Sequence, residues 1–151
     1  MISVAEARRK ITDAMPAMPA ERIALPATLG RVLAEDLTAR RTQPPKAVSA
    51  MDGYAVRSED VATIPTTLKV VGHVPAGQSY DATIGPGETV RIFTGAPVPN
   101  GADAIVIQEN TEAADGNVDI IDGTAPKGRF VRAAGLDFSE GDTLLKIGSI
   151  M

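Results

Sequence analysis

The first fifteen residues carry apolar side chains at the three- to four-residue spacing of an amphipathic helix. Ser3 and Glu6 have the spacing of a capping box, and Glu6 and Lys10 form a favourable pair four residues apart. Pro16 cannot continue a helix. The apolar positions of this segment are Val4, Ala7, Ile11, Ala14 and Met15. The pattern therefore predicts a helix that begins after Ser3 and ends at Pro16.

The next segment has shorter apolar runs. Residues 21–25 are predicted to form a short strand, and Pro26 is predicted to open about one helical turn before Gly30. Residues 31–39, RVLAEDLTA, continue as extended chain. The polar, proline-containing stretch RRTQPP, residues 40–45, then marks a boundary between two kinds of pattern.

Beyond this boundary the chain consists of short β-branched runs separated by Gly, Pro, Asn or Asp. The predicted strands are 54–56, 67–74, 89–94, 104–108, 118–121, 129–133 and 143–147. Their spacing is typical of a compact all-β module. The predicted fold class is therefore α+β and mainly β, with a helix-and-strand N-terminal piece and a β-rich, barrel-like body.

Composition and charge argue against several classes of partner and location. The 151 residues are 44% hydrophobic and 23% charged, as in a globular protein that can build a core. The net charge of −4 argues against partners such as nucleic acid or an anionic membrane surface, which need a basic face. No apolar run approaches the roughly 18 residues of a membrane span, and the N-terminus lacks the apolar core of a signal peptide. We therefore expect a cytoplasmic protein.

The chain has no cysteine and a single histidine, His73. Disulfides, thiol nucleophiles, cysteine zinc sites, histidine clusters and Ser-His-Asp triads are therefore excluded within these residues. A lone histidine is more often a surface or packing residue, so His73 is given no role. Any chemistry must come from carboxylates, hydroxyls, arginines, lysines and backbone amides.

The first block that could carry chemistry is SAMDGYAV, residues 49–56. Asp-Gly between apolar residues predicts a type I′ hairpin in which Asp52 and Gly53 serve only because they tolerate positive φ. The alternative is that the turn presents the Asp52 carboxylate, with Met51 and Tyr54 packed beneath it. The block alone favours the turn.

The second block is RIFTGAPVPNGADAIVIQE, residues 91–109. It predicts a hairpin with a proline-stiffened loop, in which the Thr94 hydroxyl caps the turn. The alternative is functional: the Thr94 hydroxyl and the Gly95 amide would meet an oxyanion at the end of a strand.

The third block is RAAGLDFSEGD, residues 132–142. Arg132 and Asp137 could form a surface ion pair of little energetic value, with Gly135 and Gly141 shaping turns. Alternatively, the guanidinium grips an oxyanion and the carboxylate holds a cation.

Together and in this order, the three blocks resemble the molybdopterin molybdenumtransferase family, that is MoeA and the gephyrin E domain. Its pattern Pro…Ser-Ala-Met-Asp-Gly-Tyr-Ala-Val is met by Pro45 and residues 49–56, and its Arg-Ile-x-Thr-Gly-Ala-Pro-x-Pro-x-Gly-x-Asp by residues 91–103. Its Arg-x-x-Gly-x-Asp is met by residues 132–137, and GRVLAEDL, residues 30–37, is similar to its N-terminal segment. The chain departs from the family at Lys46 and Ala47, where an aromatic and a small polar residue are usual, and at Leu136.

The resemblance implies an organisation and an activity. Residues 1–45 would form an elongated domain I, residues 46–136 a β-rich domain II, and residues 137–151 a return to domain I. The pterin-binding and C-terminal domains of the family would lie outside this sequence. The full enzyme would insert molybdate into adenylylated molybdopterin with the help of a divalent metal, expected to be magnesium. It would act as a homodimer whose cleft lies between domain II of one subunit and the pterin-binding domain of the other.

The resemblance also assigns candidate residues. Asp52, Thr94 and Asp137 would be catalytic, and Asp52 and Asp137 would hold the metal, because carboxylates suit anionic substrates only with a hard cation between them. The candidate substrate-binding residues are Ser49, Gly53, Arg91, Gly95 and Arg132. A chain with this part alone is expected to be inactive. The alternative is a non-catalytic dimerisation or scaffold module of the same fold, and a third is a small β-rich ligand-binding domain of unrelated specificity.

Overall fold

The computed structural model describes residues 2–16 and 18–151. The chain forms two compact units, one made of residues up to Leu37 together with Thr143–Met151, the other of Thr38–Asp142. The predicted domain limits at residues 45/46 and 136/137 lie several residues inside the changeover points of these units, and the domain assignment stays a prediction.

The strands of the described residues are numbered in chain order. They are β1 Leu37–Thr38, β2 Val48–Ser49, β3 Gly53–Val56, β4 Thr66–Val74, β5 Glu88–Ile92, β6 Ala104–Ile107, β7 Thr111–Ala114, β8 Asn117–Ile120, β9 Val131–Arg132 and β10 Thr143–Leu145. The helix α1 spans Val4–Ala14, and short 3-10 turns span Leu25–Ala27, Ser58–Val61 and Gln108–Asn110. All seven strands predicted beyond residue 45 overlap an observed one, and the mainly β fold, with one α-helix in the described residues, is confirmed.

The first unit contains α1, which begins where its cap predicts. The Glu6 backbone N–H donates to Ser3 Oγ at 3.2 Å, and the Lys10 ammonium lies 3.1 Å from the Glu6 carboxylate. No residue of α1 is buried. Over the described residues, no helix has the length and apolar character needed to cross a membrane.

The rest of the first unit is extended chain. The predicted turn at Pro26 is confirmed, but the predicted strand at residues 21–25 is wrong, because no described backbone segment pairs with it. β1 pairs with β10, and Val32 forms an antiparallel bridge with Ile150. The Asp36 carboxylate binds the segment after β10: it accepts a hydrogen bond from the Ile147 N–H at 2.8 Å and one from the Lys146 ammonium at 2.9 Å.

The second unit is built on a six-stranded sheet with the order β6-β3-β5-β4-β8-β7. The sheet is curled into a half-barrel, and all its ladders are antiparallel except that of β4 with β5. All four residues of β3 are buried. Since side chains alternate along a strand, Tyr54 and Val56 enter one core cluster and Ala55 enters the other. Both faces of this central strand are therefore covered.

The Asp-Gly hairpin predicted at Asp52 and Gly53 does not form. β2, which precedes them, pairs with β9 rather than with β3, and neither residue has a positive φ. The hairpin of this type lies instead between β7 and β8, where Asp115 and Gly116 have φ values of 51° and 79°. This turn pattern was overlooked in the sequence.

The hairpin predicted for the second block is also wrong. β5 and β6 are not neighbours, because β3 lies between them and forms a ladder with each. The proline-containing loop that joins β5 to β6 therefore crosses the end of β3. That crossing brings Thr94 towards Asp52, the residue immediately before β3.

Candidate functional site

Ser49 pairs with β9, whose Arg132 opens the third sequence block, and its backbone hydrogen bonds reach the second block. Ser49 lies opposite Val131 in the β2–β9 ladder. Its N–H donates to the Ala96 carbonyl at 2.9 Å, and its carbonyl accepts the Gly95 N–H at 2.8 Å. Three segments far apart in sequence thus meet at one residue.

The side chain of Ser49 serves this junction rather than a ligand. The residue is 1% exposed, and its hydroxyl donates to the Met51 carbonyl at 2.6 Å. A direct substrate contact by this hydroxyl does not fit its burial. The Gly95 amide is engaged as well, so the predicted oxyanion donor is already satisfied by the Ser49 carbonyl.

Asp52 and Thr94 are joined by two hydrogen bonds. The Thr94 N–H donates to Asp52 Oδ1 at 2.8 Å, and the Thr94 hydroxyl donates to the same oxygen at 2.7 Å. The hydroxyl therefore bonds across 42 residues and does not cap its own loop, as the turn interpretation had it. Among the described residues no hydrogen bond reaches Oδ2, which leaves this atom open to a ligand.

The pair lowers the pKa of Asp52. The Thr94 N–H and then the Thr94 hydroxyl hold the pKa of the Asp52 carboxyl below its usual value, with a smaller contribution from the charge of Arg91. Desolvation acts in the opposite direction and is outweighed. The carboxylate is negatively charged at neutral pH, as a cation ligand requires.

Arg91 is held by neighbours on the sheet. Its guanidinium donates to the Gly53 carbonyl at 3.1 Å and to the Gln108 side chain. It also lies 5.1 Å from the ring centre of Tyr54 and 4.8 Å from that of Phe93. These contacts fix the charge of Arg91 near Asp52 and occupy several of the donors that substrate binding was predicted to use.

Gly53 has a packing role. A Cβ added there would lie 2.0 Å from the Val106 carbonyl oxygen on β6. The glycine thus permits the close approach of β3 and β6, which explains its presence without a ligand. Of the two side chains predicted to pack beneath Asp52, Tyr54 is 7% exposed and buried in the core, whereas Met51 is 37% exposed, so that expectation is wrong for Met51.

Arg132 and Asp137 form the predicted surface ion pair. The Arg132 Nη2 lies 2.9 Å from Asp137 Oδ1, and both side chains are nearly half exposed. They face a groove of about 410 Å³ in the second unit, which we call the Arg132 groove. Its walls are Gln43, Pro44, Pro45, Lys46, Val48, Gly77, Gln78, Ser79, Gly95, Pro97, Arg132 and Asp137.

The groove joins some predicted residues and leaves others outside. Gly95, Arg132 and Asp137 line it, whereas Asp52 and Thr94 do not, although Thr94 is the chain neighbour of Gly95. Three further wall residues were not predicted from the sequence: Gln43, Gln78 and Ser79. Gln43 precedes Pro44 and Gln78 follows Gly77, and polar residues beside Pro or Gly are too common in loops to mark a site.

The candidate carboxylates could hold a metal ion only if other ligands complete its coordination. Within residues 2–16 and 18–151, no group of three or more Asp, Glu, His or Cys side chains converges to hold an ion. Asp52 and Asp137 are each engaged on one oxygen, by Thr94 and Arg132 respectively. This chain can therefore offer separate carboxylate ligands but no cage.

Comparison with known proteins decides the family. The family described as "MoeA N-terminal region (domain I and II)" matches residues 2–151. The chain belongs to the MoeA family. The resemblance seen in the three sequence blocks is thereby confirmed.

Relatives and solved structures agree. The chain is 39% identical over 154 residues to "Molybdopterin molybdenumtransferase" of Nostoc sp., covering 96% of this chain and 35% of the relative. It is 40% identical over 157 residues to "Molybdopterin molybdenumtransferase 2" of Mycobacterium tuberculosis, covering 100% of this chain and 38% of the relative. It is also similar to the crystal structure of the molybdopterin biosynthesis MoeA protein from Pyrococcus horikoshii, with a TM-score of 0.81 and 31% identity over 87% of this chain and 35% of that one.

The chain matches only part of the length of these relatives. The chain spans 35% and 38% of the length of the two curated MoeA relatives. The similarity therefore covers the part of those proteins that the family description calls domain I and II.

Proposed function

We propose that this MoeA chain is the N-terminal part of a cytoplasmic enzyme that inserts molybdate into adenylylated molybdopterin. It contributes one wall of an active site between the two subunits of a homodimer and is inactive alone. The names of the relatives support the reaction class. The observation that carries the catalytic role is the Asp52–Thr94 pair, because two hydrogen bonds at Oδ1 fix the orientation of the carboxylate and leave Oδ2 free.

Each remaining candidate has a place in this proposal. Asp52 and Asp137 are the carboxylates of the wall, and Thr94 positions Asp52. Arg132 meets an anionic group of the substrate at the groove. Ser49, Gly53, Gly95 and Arg91 shape the wall through the contacts described above and do not bind the substrate through free side chains.

Magnesium fits this arrangement if the substrate completes its coordination. Mg²⁺ in proteins commonly keeps several waters and binds through one or two carboxylates together with substrate phosphates. Asp52 and Asp137 would hold it, and it would offset the negative charge of the phosphate and the oxyanion. The residues' own task is to stay ionised and to present one oxygen each.

Two experiments test the proposal. The isolated chain should fold but should not convert adenylylated molybdopterin, and turnover by it would refute the shared active site. In the longer protein that contains this chain, Asp52→Ala should abolish molybdenum insertion while the far-ultraviolet circular dichroism stays unchanged.

A matched control is available in the same unit. Asp119 is exposed on β8 and accepts the Thr67 hydroxyl at 2.5 Å, so it copies the Asp–Thr pairing at another strand of the sheet. Asp119→Ala should leave insertion unchanged. Wild-type insertion by Asp52→Ala would favour the alternative, a dimerisation or scaffold module of the same fold.

A further inference from the structure

The Arg132 groove carries an uneven distribution of charge. Its only charged wall residues among those the structure describes are Lys46, Arg132 and Asp137. Two cations and one anion leave the groove with one net positive charge. A groove of this charge on a chain with a net charge of −4 is a local reversal of sign.

The two cations differ in their surroundings. The charge of Arg132 is opposed by Asp137 at 2.9 Å. Lys46 is exposed and forms no salt bridge with any residue that the structure describes. The unopposed positive charge of the groove is therefore that of Lys46.

The walls beside Lys46 are stiff and partly polar. Pro44, Pro45 and Pro97 line the same groove and have restricted backbones. Gln78 and Ser79 add neutral hydrogen-bonding groups. A lysine ammonium has three rotatable donors and commonly binds phosphate as a point charge.

We propose that Lys46 binds a tetrahedral oxyanion in the Arg132 groove, either a phosphate group or molybdate. The inference rests on the proposed function, because both anions belong to the substrates of that reaction. It adds a substrate-binding residue at a position where the sequence departs from the family pattern.

The test is a binding titration of the protein with inorganic phosphate, pyrophosphate and molybdate, each added separately at low ionic strength. Lys46→Gln should weaken binding of the preferred anion about 5- to 20-fold, because one charge-assisted hydrogen bond is lost in a solvated groove. Lys46→Arg should remain within about twofold of the wild type, since it keeps the charge. Comparing the phosphates with molybdate identifies which oxyanion the groove takes.

Lys69→Gln is the matched control. Lys69 is an exposed lysine on β4 that does not line the groove, so its removal changes net charge equally and should leave binding unchanged. Equal binding by Lys46→Gln and the wild type would overturn the proposal, as would a wild type that binds none of the three anions. Equal weakening by both lysine variants would also overturn it, since that result indicates a general charge effect.

This outcome is separable from that of the proposed function. Weaker anion binding by Lys46→Gln together with wild-type molybdenum insertion by Asp52→Ala would keep the anion site and remove the catalytic assignment. Unchanged anion binding by Lys46→Gln together with lost insertion by Asp52→Ala would remove the anion site and keep the catalytic assignment.

Discussion

Asp52 accepts the backbone N–H and the side-chain hydroxyl of Thr94 at the same carboxylate oxygen, at 2.8 and 2.7 Å. The two residues come from different sequence blocks, and the contact exists because the loop after β5 crosses the end of β3. The pair therefore depends on the order of strands in the sheet. It also leaves the other carboxylate oxygen available to a cation.

Thr94→Val tests the cause of the low pKa of Asp52. The variant loses the hydroxyl but keeps the backbone N–H, which is the larger of the two causes. The pKa of Asp52 should rise towards its ordinary value of 3.8 and still remain below it. Carboxyl-carbon NMR titration measures this shift, and Thr94→Ser, which keeps a hydroxyl, should titrate as the wild type does. An unchanged pKa in Thr94→Val would rule the hydroxyl out as a cause.

Asp36 gives the chain a pH dependence of stability. Bonds from the Ile147 N–H and from Lys146 lower the pKa of its carboxyl below 3.8 in the folded state. The resulting stabilisation is present above the unfolded pKa and is lost as the pH falls through the folded pKa. Asp36→Asn should therefore lower the free energy of unfolding at pH 7, and the difference from the wild type should vanish in strong acid.

Urea unfolding across this pH range measures that difference. Asp13→Asn is the control, because Asp13 is exposed and its carboxylate has no hydrogen bond to a described residue. A difference between Asp36→Asn and the wild type that is constant with pH would show that the ionised form is not what stabilises the fold.

Gly53→Ala should be strongly destabilising. The new Cβ would meet the Val106 carbonyl oxygen at 2.0 Å, and a backbone atom in the middle of a sheet cannot move aside cheaply. We expect a loss of about 3 kcal/mol in the free energy of unfolding. Gly85→Ala is the control, since its Cβ meets only the flexible carboxylate of Glu88 at 3.3 Å. Similar losses in the two variants would contradict the packing role of Gly53.

Gly72→Ala should loosen the loop of the Arg132 groove that contains Gln78 and Ser79. A Cβ at Gly72 would lie 2.5 Å from the Tyr80 ring, which packs against β4 and whose hydroxyl lies 3.4 Å from the Val71 carbonyl. Displacing the ring should speed amide hydrogen exchange at the groove residues Gln78 and Ser79. Tyr80→Phe keeps the ring and should exchange like the wild type. Equal exchange in Gly72→Ala and the wild type would mean that Tyr80 does not hold this loop.

Local signals in the sequence predicted the local structure well. The cap at Ser3, the ion pair of Glu6 with Lys10 and the seven strands predicted beyond residue 45 depend on neighbours a few residues away, and all are confirmed. The predicted strand at residues 21–25 failed because a strand needs a partner, and the sequence does not say which segments pair.

The Asp-Gly pairs show the same limit at the site. Asp115-Gly116 forms a two-residue hairpin because β7 and β8 pair directly across it. Asp52-Gly53 does not, because β2 pairs with β9 and Ser49 is bound to the loop after β5, so that β2 is not paired with β3. The resemblance of the blocks identified the MoeA family, but only the sheet order explains how Asp52 reaches Thr94.

Asp52→Asn in the longer protein tests the central claim most directly. The asparagine amide oxygen can still accept both bonds from Thr94, so the fold of the wall is kept and only the charge is removed. We predict that molybdenum insertion falls about 100-fold or more, as expected when a charge that acts on the transition state is lost. Insertion at the wild-type rate would contradict the account, because it would leave Asp52 with a purely structural role.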